Sequence, residues 1–264
     1  MDLAFSLAGL VVGIAVGATG VGGGSLMTPI LILFYGISPT VAVGTDLIYA
    51  SISKAFGVTL HSRNGSLDWK LVGWLSLGSV PAALLTLVFL HHQTPGKELD
   101  QLIKLTLSVA IVVTAVFTVF QDRVMALLRR SPGGADSDQP WRWQRPMTVV
   151  CGVLIGSLVT ISSVGAGVIG MMMLLLLYPR HQPIRLVGSD LAHAVLITAI
   201  AGAGHAASLG SVNWSMLGAL LIGAIPGIYL GTKIGFRLDP KALKKVISGL
   251  LIFVGATMLW KAIQ

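Results

Sequence analysis

Residues 17–25 read GATGVGGGS, and this glycine cluster lies near the middle of an apolar stretch that runs from about 3 to 36. A helix needs only ~20 residues to cross a bilayer, so this long stretch predicts two half-helices joined by irregular backbone. A second stretch, from about 147 to 178, is interrupted in the same way by residues 162–167, which read SSVGAG. The sequence therefore predicts two helices that are broken at glycine-rich tips.

The remaining sequence is typical of a membrane protein. Six further apolar stretches cover about 38–60, 69–90, 102–120, 184–206, 214–236 and 242–260. Charged residues make up only 11% of the 264 residues and hydrophobic residues 54%, which is too little polar surface for a soluble globule. We therefore expect an all-α polytopic membrane protein with about eight hydrophobic segments.

The two halves of the chain resemble each other. When the sequence is aligned with itself at an offset of 144 residues, identical residues coincide at several positions, some of them of rare residue types. After a one-residue insertion the offset becomes 145. The coinciding pairs include Gly23 and Gly167, Pro39 and Pro183, Gly44 and Gly188, Asp46 and Asp190, His61 and His205, and Trp69 and Trp214. This pattern predicts a first repeat over 1–121, a basic cytoplasmic linker over 122–145 and a second repeat over 146–264.

The basic residues indicate how the repeats are oriented. The net charge is +8, but the Lys and Arg residues lie in short loops beside apolar stretches, which favours a topology signal over nucleic-acid binding. If both broken helices return to the side they entered from, 14 basic residues lie on one side and 3 on the other, with Lys54 left out. Eight simple spans would give a nearly even split. We therefore expect inverted repeats with both termini outside, although a fully crossing first half-helix remains open.

The glycine-rich tips are candidate anion sites. Irregular backbone at membrane depth must be buried in protein or line a wet cavity, and the N-H groups there can converge on an anion. Donors from the tips would come from Gly22, Gly23, Ser25 and Gly167. Close helix packing is the alternative use of glycine, and we assign it to two stripes of small residues: Gly9, Gly13 and Gly17, and Gly223, Gly227 and Gly231.

Three charged residues stand out within the spans. Asp46 and Asp190 are repeat mates, and as intramembrane carboxylates they either bind protons or cap broken helices. Lys54 either acts as the countercharge of an anion, pairs statically with Asp46, or snorkels to the surface. The neighbouring hydroxyls of Thr45 and Ser189 are further candidate ligands of a substrate.

Other chemistry has little support in the sequence. Cys151 is the only cysteine and no Cys/His cluster is present, so we expect neither a metal nor a cofactor. An intramembrane enzyme using Ser189, Asp190 and His193 is a remote alternative, because these residues share one helix and no hydrolase motif surrounds the serine.

Together, the 17–25 cluster with Pro29, the Gly44-Thr45-Asp46 span, the 65–69 turn and their counterparts resemble the sulfite exporter TauE/SafE family of membrane permeases. The resemblance implies a multi-pass transporter in the cytoplasmic (inner) membrane, driven by protons and carrying a small anion such as sulfite, a sulfonate or sulfoacetate. The second tip departs from the first, because Val164, Ala166 and Val168 replace three glycines. We therefore expect the substrate to lie closer to the first half.

We expect transport by alternating access between the two tips, with a small anion, protons and the lipid bilayer as partners and without enzymatic activity. A passive anion channel with the same fold is the main alternative. The oligomeric state stays open, with a homodimer as one option.

Overall fold

The computed structural model describes residues 3–19, 24–63, 67–93, 96–130, 143–179, 181–235 and 240–263. Within these ranges the chain forms ten helices and no strand, which confirms the predicted all-α fold. The helices are α1 (Leu3–Thr19), α2 (Gly24–Tyr35), α3 (Pro39–Arg63), α4 (Trp69–His92), α5 (Lys97–Arg130), α6 (Gln144–Ser162), α7 (Val168–Leu177), α8 (Pro183–Ser208), α9 (Trp214–Gly235) and α10 (Pro240–Ile263).

The surface of the helices is apolar. Large side chains such as Leu85, Phe34 and Phe253 are more than 60% exposed, an arrangement that water disfavours and that lipid tails tolerate. By length and composition, five helices among the described residues can cross a bilayer: α4, α5 as far as Phe120, α6, α8 from Ile184 and α9 as far as Lys233. The protein is therefore a polytopic membrane protein.

Both long apolar stretches are broken, as predicted, and each folds into a helical hairpin. In the first hairpin, the Tyr35 hydroxyl at the end of α2 donates a 2.7 Å hydrogen bond to the carbonyl oxygen of Ala4 at the start of α1. In the second, Nε2 of Gln144 at the start of α6 donates a 2.8 Å hydrogen bond to the carbonyl oxygen of Leu177 at the end of α7. Each short helix therefore returns to the level at which its partner began.

Glycine stripes hold two pairs of parallel helices together. A Cβ atom on Gly9, Gly13 or Gly17 of α1 would overlap the backbone of Leu220, Ala224 or Ile228 of α9. The equivalent pair is α6 and α4, where Gly152 and Gly156 meet the backbone of Leu75 and Ser79. These contacts confirm that the α1 stripe packs helices, and so does its counterpart on α9, where Gly223, Gly227 and Gly231 meet the backbone of Ser6, Leu10 and Ile14. Each pair joins one helix from each half of the chain.

The repeat mates α3 and α8 contact each other in opposite directions. Gly202 of α8 packs against Ile48 of α3, whereas Ser51 donates a 3.3 Å hydrogen bond to the carbonyl oxygen of Val195. Residue numbers therefore rise along α3 while they fall along α8, so the two helices are antiparallel. Ser51 and Val195 are themselves 144 residues apart, as repeat mates are.

The link between the halves is partly helical. α5 continues beyond the apolar stretch to Arg130, and α6 begins at Gln144. The first residues of the predicted linker therefore extend α5, and residues 131–142 lie outside the described residues.

Candidate functional site

The second glycine-rich tip is irregular and buried. Ser163 has a φ of 59°, and Gly165 and Gly167 have φ values of 124° and 132°, all in the left-handed region that favours glycine. Ser163, Val164 and Ala166 are buried, so this backbone is enclosed by protein as membrane depth requires. The predicted break is therefore confirmed over 163–167, which is not helical, whereas Ser162 is the last residue of α6.

Gly167 lies at the N-terminal end of α7, where its carbonyl oxygen accepts a 2.8 Å hydrogen bond from the backbone N-H of Met171. Ser25 is buried in the first turn of α2. Gly22 and Gly23 belong to the first tip and lie outside the described residues. A substrate role for these four residues stays a prediction.

Lys54 connects the first half of the protein to the second tip. Its side chain is only 5% exposed, and Nζ donates a 2.8 Å hydrogen bond to the carbonyl oxygen of Ala166. The ammonium group also interacts electrostatically with Asp190 and Asp46. Lys54 therefore neither snorkels to a surface nor has Asp46 as its hydrogen-bond partner. Its charge is in direct contact with a backbone carbonyl and interacts with two carboxylates.

Asp46 is held by a hydroxyl from α2. Its side chain is fully buried, and Oδ2 accepts a 2.5 Å hydrogen bond from Oγ1 of Thr28. Ser163 of the second tip lies close to the same carboxyl group. Neither Asp46 Oδ1 nor Ser163 Oγ makes a hydrogen bond within the described part of the chain, so each atom can still form one.

Asp190 has a different environment from its repeat mate. It is 5% exposed, and its Oδ1 has no hydrogen-bond partner among the residues that the structure describes. The carboxyl group packs against Gly170 of α7, where a Cβ atom would overlap Oδ1. Gly170 therefore makes room for a carboxylate beside the first turn of α7.

His193 lies one helical turn after Asp190 and is fully buried. Its Nε2 is 2.8 Å from Oγ of Ser79, and its Nδ1 has no partner in the described ranges. His205, by contrast, lies between the Thr160 carbonyl oxygen at 2.9 Å and the Ser211 hydroxyl at 3.1 Å. His205 therefore ties helices together, whereas His193 belongs to the polar cluster around Lys54.

Thr45 and Ser189 bond to backbone in equivalent ways. Oγ1 of Thr45 accepts a 3.0 Å hydrogen bond from the N-H of Asn213, just before α9. Oγ of Ser189 accepts a 2.8 Å hydrogen bond from the N-H of Asp68, just before α4, and donates to the carbonyl oxygen of Arg185. These hydroxyls anchor the starts of α9 and α4, and a substrate role for them stays a prediction.

Hydrolase chemistry has no support in these contacts. Among the described residues, the Ser189 hydroxyl bonds to backbone atoms, and His193 on the same helix bonds to Ser79 instead. No group of three His, Cys, Asp or Glu side chains suited to a metal ion occurs among the described residues.

Thr28, Ser79, Ser163 and Gly170 were not singled out in the sequence. Each is a residue type that is common in membrane helices, so only the three-dimensional contacts distinguish them. The signal that the sequence did contain is the repeat itself, because Met172 replaces Thr28 and Leu26 replaces Gly170 at the equivalent positions. A comparison of the halves would have flagged both positions as asymmetric.

The family model described as "Sulfite exporter TauE/SafE" matches residues 5–258 of this chain. The chain belongs to the TauE/SafE family. It is 35% identical to the probable membrane transporter protein YjnA of Bacillus subtilis, over 98% of this chain and 100% of the relative. It is 24% identical to the probable membrane transporter protein MJ0441 of Methanocaldococcus jannaschii, over 96% of this chain and 93% of the relative. No solved structure matches the chain with statistical significance.

Membership in the TauE/SafE family and these relatives identify the chain as a membrane transporter. Among the described residues, Asp46, Lys54 and Asp190 are charged groups that lie buried within the spans, and they form a polar cluster with His193 between α3, α8 and the second tip. This cluster is therefore the candidate site for a transported solute.

Proposed function

We propose that the protein is a secondary active transporter of a small sulfur-containing or organic anion, of the sulfite, sulfonate or sulfoacetate type. It works in the cytoplasmic membrane, is coupled to protons and operates by alternating access. The substrate class is suggested by the description of the matching family. The position of the site is suggested by Lys54, and this buried cation is the observation on which the proposal mainly depends.

A buried ammonium group is costly in a membrane unless its charge is compensated. Nζ of Lys54 donates a 2.8 Å hydrogen bond to the carbonyl oxygen of Ala166, and its charge interacts electrostatically with both Asp190 and Asp46. A carbonyl dipole is a weaker partner than a carboxylate in direct contact. An anion that approaches Lys54 therefore gains a strong electrostatic partner at membrane depth, next to the backbone of the second tip.

The arrangement of the helices supports inverted repeats over 1–121 and 146–264. Two equivalent helices related by an axis along the membrane normal would be parallel, whereas α3 and α8 are antiparallel. The hairpins α1–α2 and α6–α7 each return to their starting level, which leaves an odd number of crossings in each half. Both observations favour a two-fold axis in the membrane plane, and alternating access follows when one half tilts against the other.

Transport and the role of Lys54 are tested together in proteoliposomes that contain the purified protein. We expect radiolabelled sulfite, methanesulfonate or sulfoacetate to accumulate when a pH gradient is imposed, and a protonophore to abolish the accumulation. Lys54→Met should reduce anion affinity at least tenfold, because a desolvated charge partner is lost. Lys233→Met is the matched control, since Lys233 is exposed and lies over the Tyr229 ring.

Two outcomes would overturn the proposal. Fast flux of these anions without accumulation would favour a passive channel. Equal anion affinity in the wild type, Lys54→Met and Lys233→Met would remove Lys54 from the site.

A further inference from the structure

The two intramembrane carboxylates, Asp46 and Asp190, are repeat mates, but their surroundings differ. Asp46 accepts a hydrogen bond from Thr28, and the residue equivalent to Thr28 in the second half is Met172, which has no hydroxyl. In both carboxyl groups Oδ1 has no hydrogen-bond partner in the described chain. The difference is therefore the threonine hydroxyl that fastens Asp46 to a neighbouring helix, for which the second half has no equivalent at position 172.

The space around the two carboxylates differs in the same sense. Gly170 leaves room for the Asp190 carboxyl group, whereas the equivalent residue in the first half is the buried Leu26. A leucine at this place in α7 would collide with Oδ1 of Asp190. In the second half, the carboxyl group of Asp190 therefore has room beside α7. It can change its hydrogen-bond partners without displacing a large side chain.

The charged and titratable groups that face Asp190 are few. The charged group that interacts with Asp190 is Lys54 of α3. Lys54 interacts in turn with Asp46 of α3 and with His193 of α8. Asp68 precedes α4, and its backbone N-H donates a hydrogen bond to Ser189, the neighbour of Asp190 in the sequence. The carboxylate of Asp68, however, caps the start of α4.

The other two elements near Asp190 add little charge. The sequence of α7 contains no titratable residue. Among the described side chains of α6, the titratable ones are Arg145, which is exposed, and Cys151, which is partly exposed. Lys54 is therefore the cation on which the charge of Asp190 depends.

On the basis of the anion transport proposed above, we propose that Asp190 is the proton-binding residue and that it competes with the transported anion for the charge of Lys54. When the site holds no anion, the ammonium group of Lys54 compensates the carboxylate of Asp190. When an anion binds to Lys54, that compensation is withdrawn, and an uncompensated buried carboxylate is far less stable than a neutral carboxyl group.

The proton balance of this step is simple. The carboxylate of Asp190 takes one proton from water on the side to which the site is open, and the anion and the proton then occupy the site together. On the opposite side, release of the anion returns the charge of Lys54 to Asp190, and the proton leaves to water. Anion binding and proton binding therefore favour each other, and by linkage each raises the affinity for the other.

The first test measures proton uptake directly. Purified protein in weakly buffered detergent solution is mixed with methanesulfonate or sulfoacetate near pH 7, where both remain ionised, and a pH-sensitive dye reports the change in proton concentration. We expect the wild type to take up about one proton for each anion bound, and its Kd to rise about tenfold per pH unit across the range of uptake. Anion binding without proton uptake by the wild type would overturn the inference and leave the proposed function intact.

The second test assigns the proton to Asp190. Asp190→Asn should bind the anion without proton uptake and lose the pH dependence of Kd, because a neutral amide cannot titrate. It should also retain exchange of labelled for unlabelled anion at equal pH while it loses accumulation driven by a pH gradient. Asp46→Asn is the comparison variant, and we expect it to retain proton uptake on binding.

Two further results keep the inference falsifiable. Should Asp190→Asn fail to fold, Asp190→Glu is measured instead, and we expect its proton uptake to be retained with a shifted pH midpoint. Loss of uptake in Asp46→Asn together with retained uptake in Asp190→Asn would contradict the assignment. Absence of binding by every anion tested would instead contradict the proposed function itself.

Discussion

Thr28 illustrates how a single hydroxyl makes a buried charge tolerable. It is fully buried in α2, and its Oγ1 lies 2.5 Å from Oδ2 of Asp46. A buried carboxylate that loses a hydrogen-bond donor keeps its desolvation penalty and gives up part of its compensation. The bond also joins α2 to α3, so it fixes the first hairpin against the helix that carries Lys54.

We therefore expect Thr28→Val to lower the free energy of unfolding by ~1–3 kcal/mol. Thr114→Val is the matched control, because Thr114 is equally buried in α5 and its Oγ1 has no hydrogen-bond partner within the described ranges. Its effect should be close to neutral. Unfolding by a denaturing detergent gives both values, and equal losses in the two variants would show that the bond between Thr28 and Asp46 contributes no stability.

At the scale of single residues, the sequence is informative where a residue type is rare in its surroundings, such as a charged residue within an apolar stretch. Asp46, Asp190 and Lys54 are conspicuous because charges are expensive inside apolar stretches. The groups that surround them were not predictable in this way, since a threonine or serine in a membrane helix is ordinary. Nor did the sequence indicate that the hydroxyls of Thr45 and Ser189 bond to the backbone N-H groups before α9 and α4, and their contact with substrate stays a prediction.

At the scale of the helices, backbone contact through glycine replaces the side-chain packing of a soluble core. α6 approaches α4 so closely that a Cβ atom on Gly156 would overlap the backbone of Ser79. Without a hydrophobic driving force between helices in lipid, such close packing is a main source of association. These close contacts therefore join helices from different halves of the chain.

Substitution of two glycines by alanine separates close packing from helix propensity. Gly156→Ala should destabilise the protein by ~1–3 kcal/mol, because the backbone of α4 cannot easily move aside. Gly73→Ala should be neutral or stabilising by up to ~1 kcal/mol, because Gly73 is in a helix interior with open space around it. The measurement is again the unfolding free energy, and a loss of stability in Gly73→Ala as large as that in Gly156→Ala would contradict the packing role.

The helices themselves were largely predictable. Apolar stretches mark them because each must shield its backbone from lipid, and the two interruptions coincide with the glycine-rich tips. The pairing of α1 with α9 and of α6 with α4 was not predictable from either stripe alone. A stripe of small residues shows that a helix has a close neighbour but does not identify the neighbour.

At the scale of the whole molecule, the halves are interleaved. Each hairpin packs its longer helix on the other half: α1 on α9 and α6 on α4. The equivalent helices α3 and α8 cross at the centre, where Ser51 contacts its own repeat mate Val195. A tilt of one half against the other therefore changes the surroundings of Lys54, which extends from α3 to the second tip.

The inverted topology that we propose predicts that repeat mates lie on opposite sides of the membrane. Ser38 and Gln182 are exposed residues 144 positions apart, just before α3 and α8. In a Cys151→Ser background, we expect Ser38→Cys to react with an impermeant maleimide added outside intact cells. Gln182→Cys should react only after the cells are opened, and labelling of both from outside would contradict the inverted arrangement.

The location of the bound anion is the observation on which the proposed transport mechanism depends most. Selenite is a heavier analogue of sulfite, and its selenium can be located by anomalous X-ray scattering from crystals soaked in it. We expect one strong anomalous peak beside residues 163–167, close enough to Lys54 for an oxygen of selenite to accept a hydrogen bond from Nζ, and no such peak in crystals of Lys54→Met. A peak confined to loops outside the membrane, or one beside residue 54 that persists in the Lys54→Met crystals, would contradict the central role of this lysine.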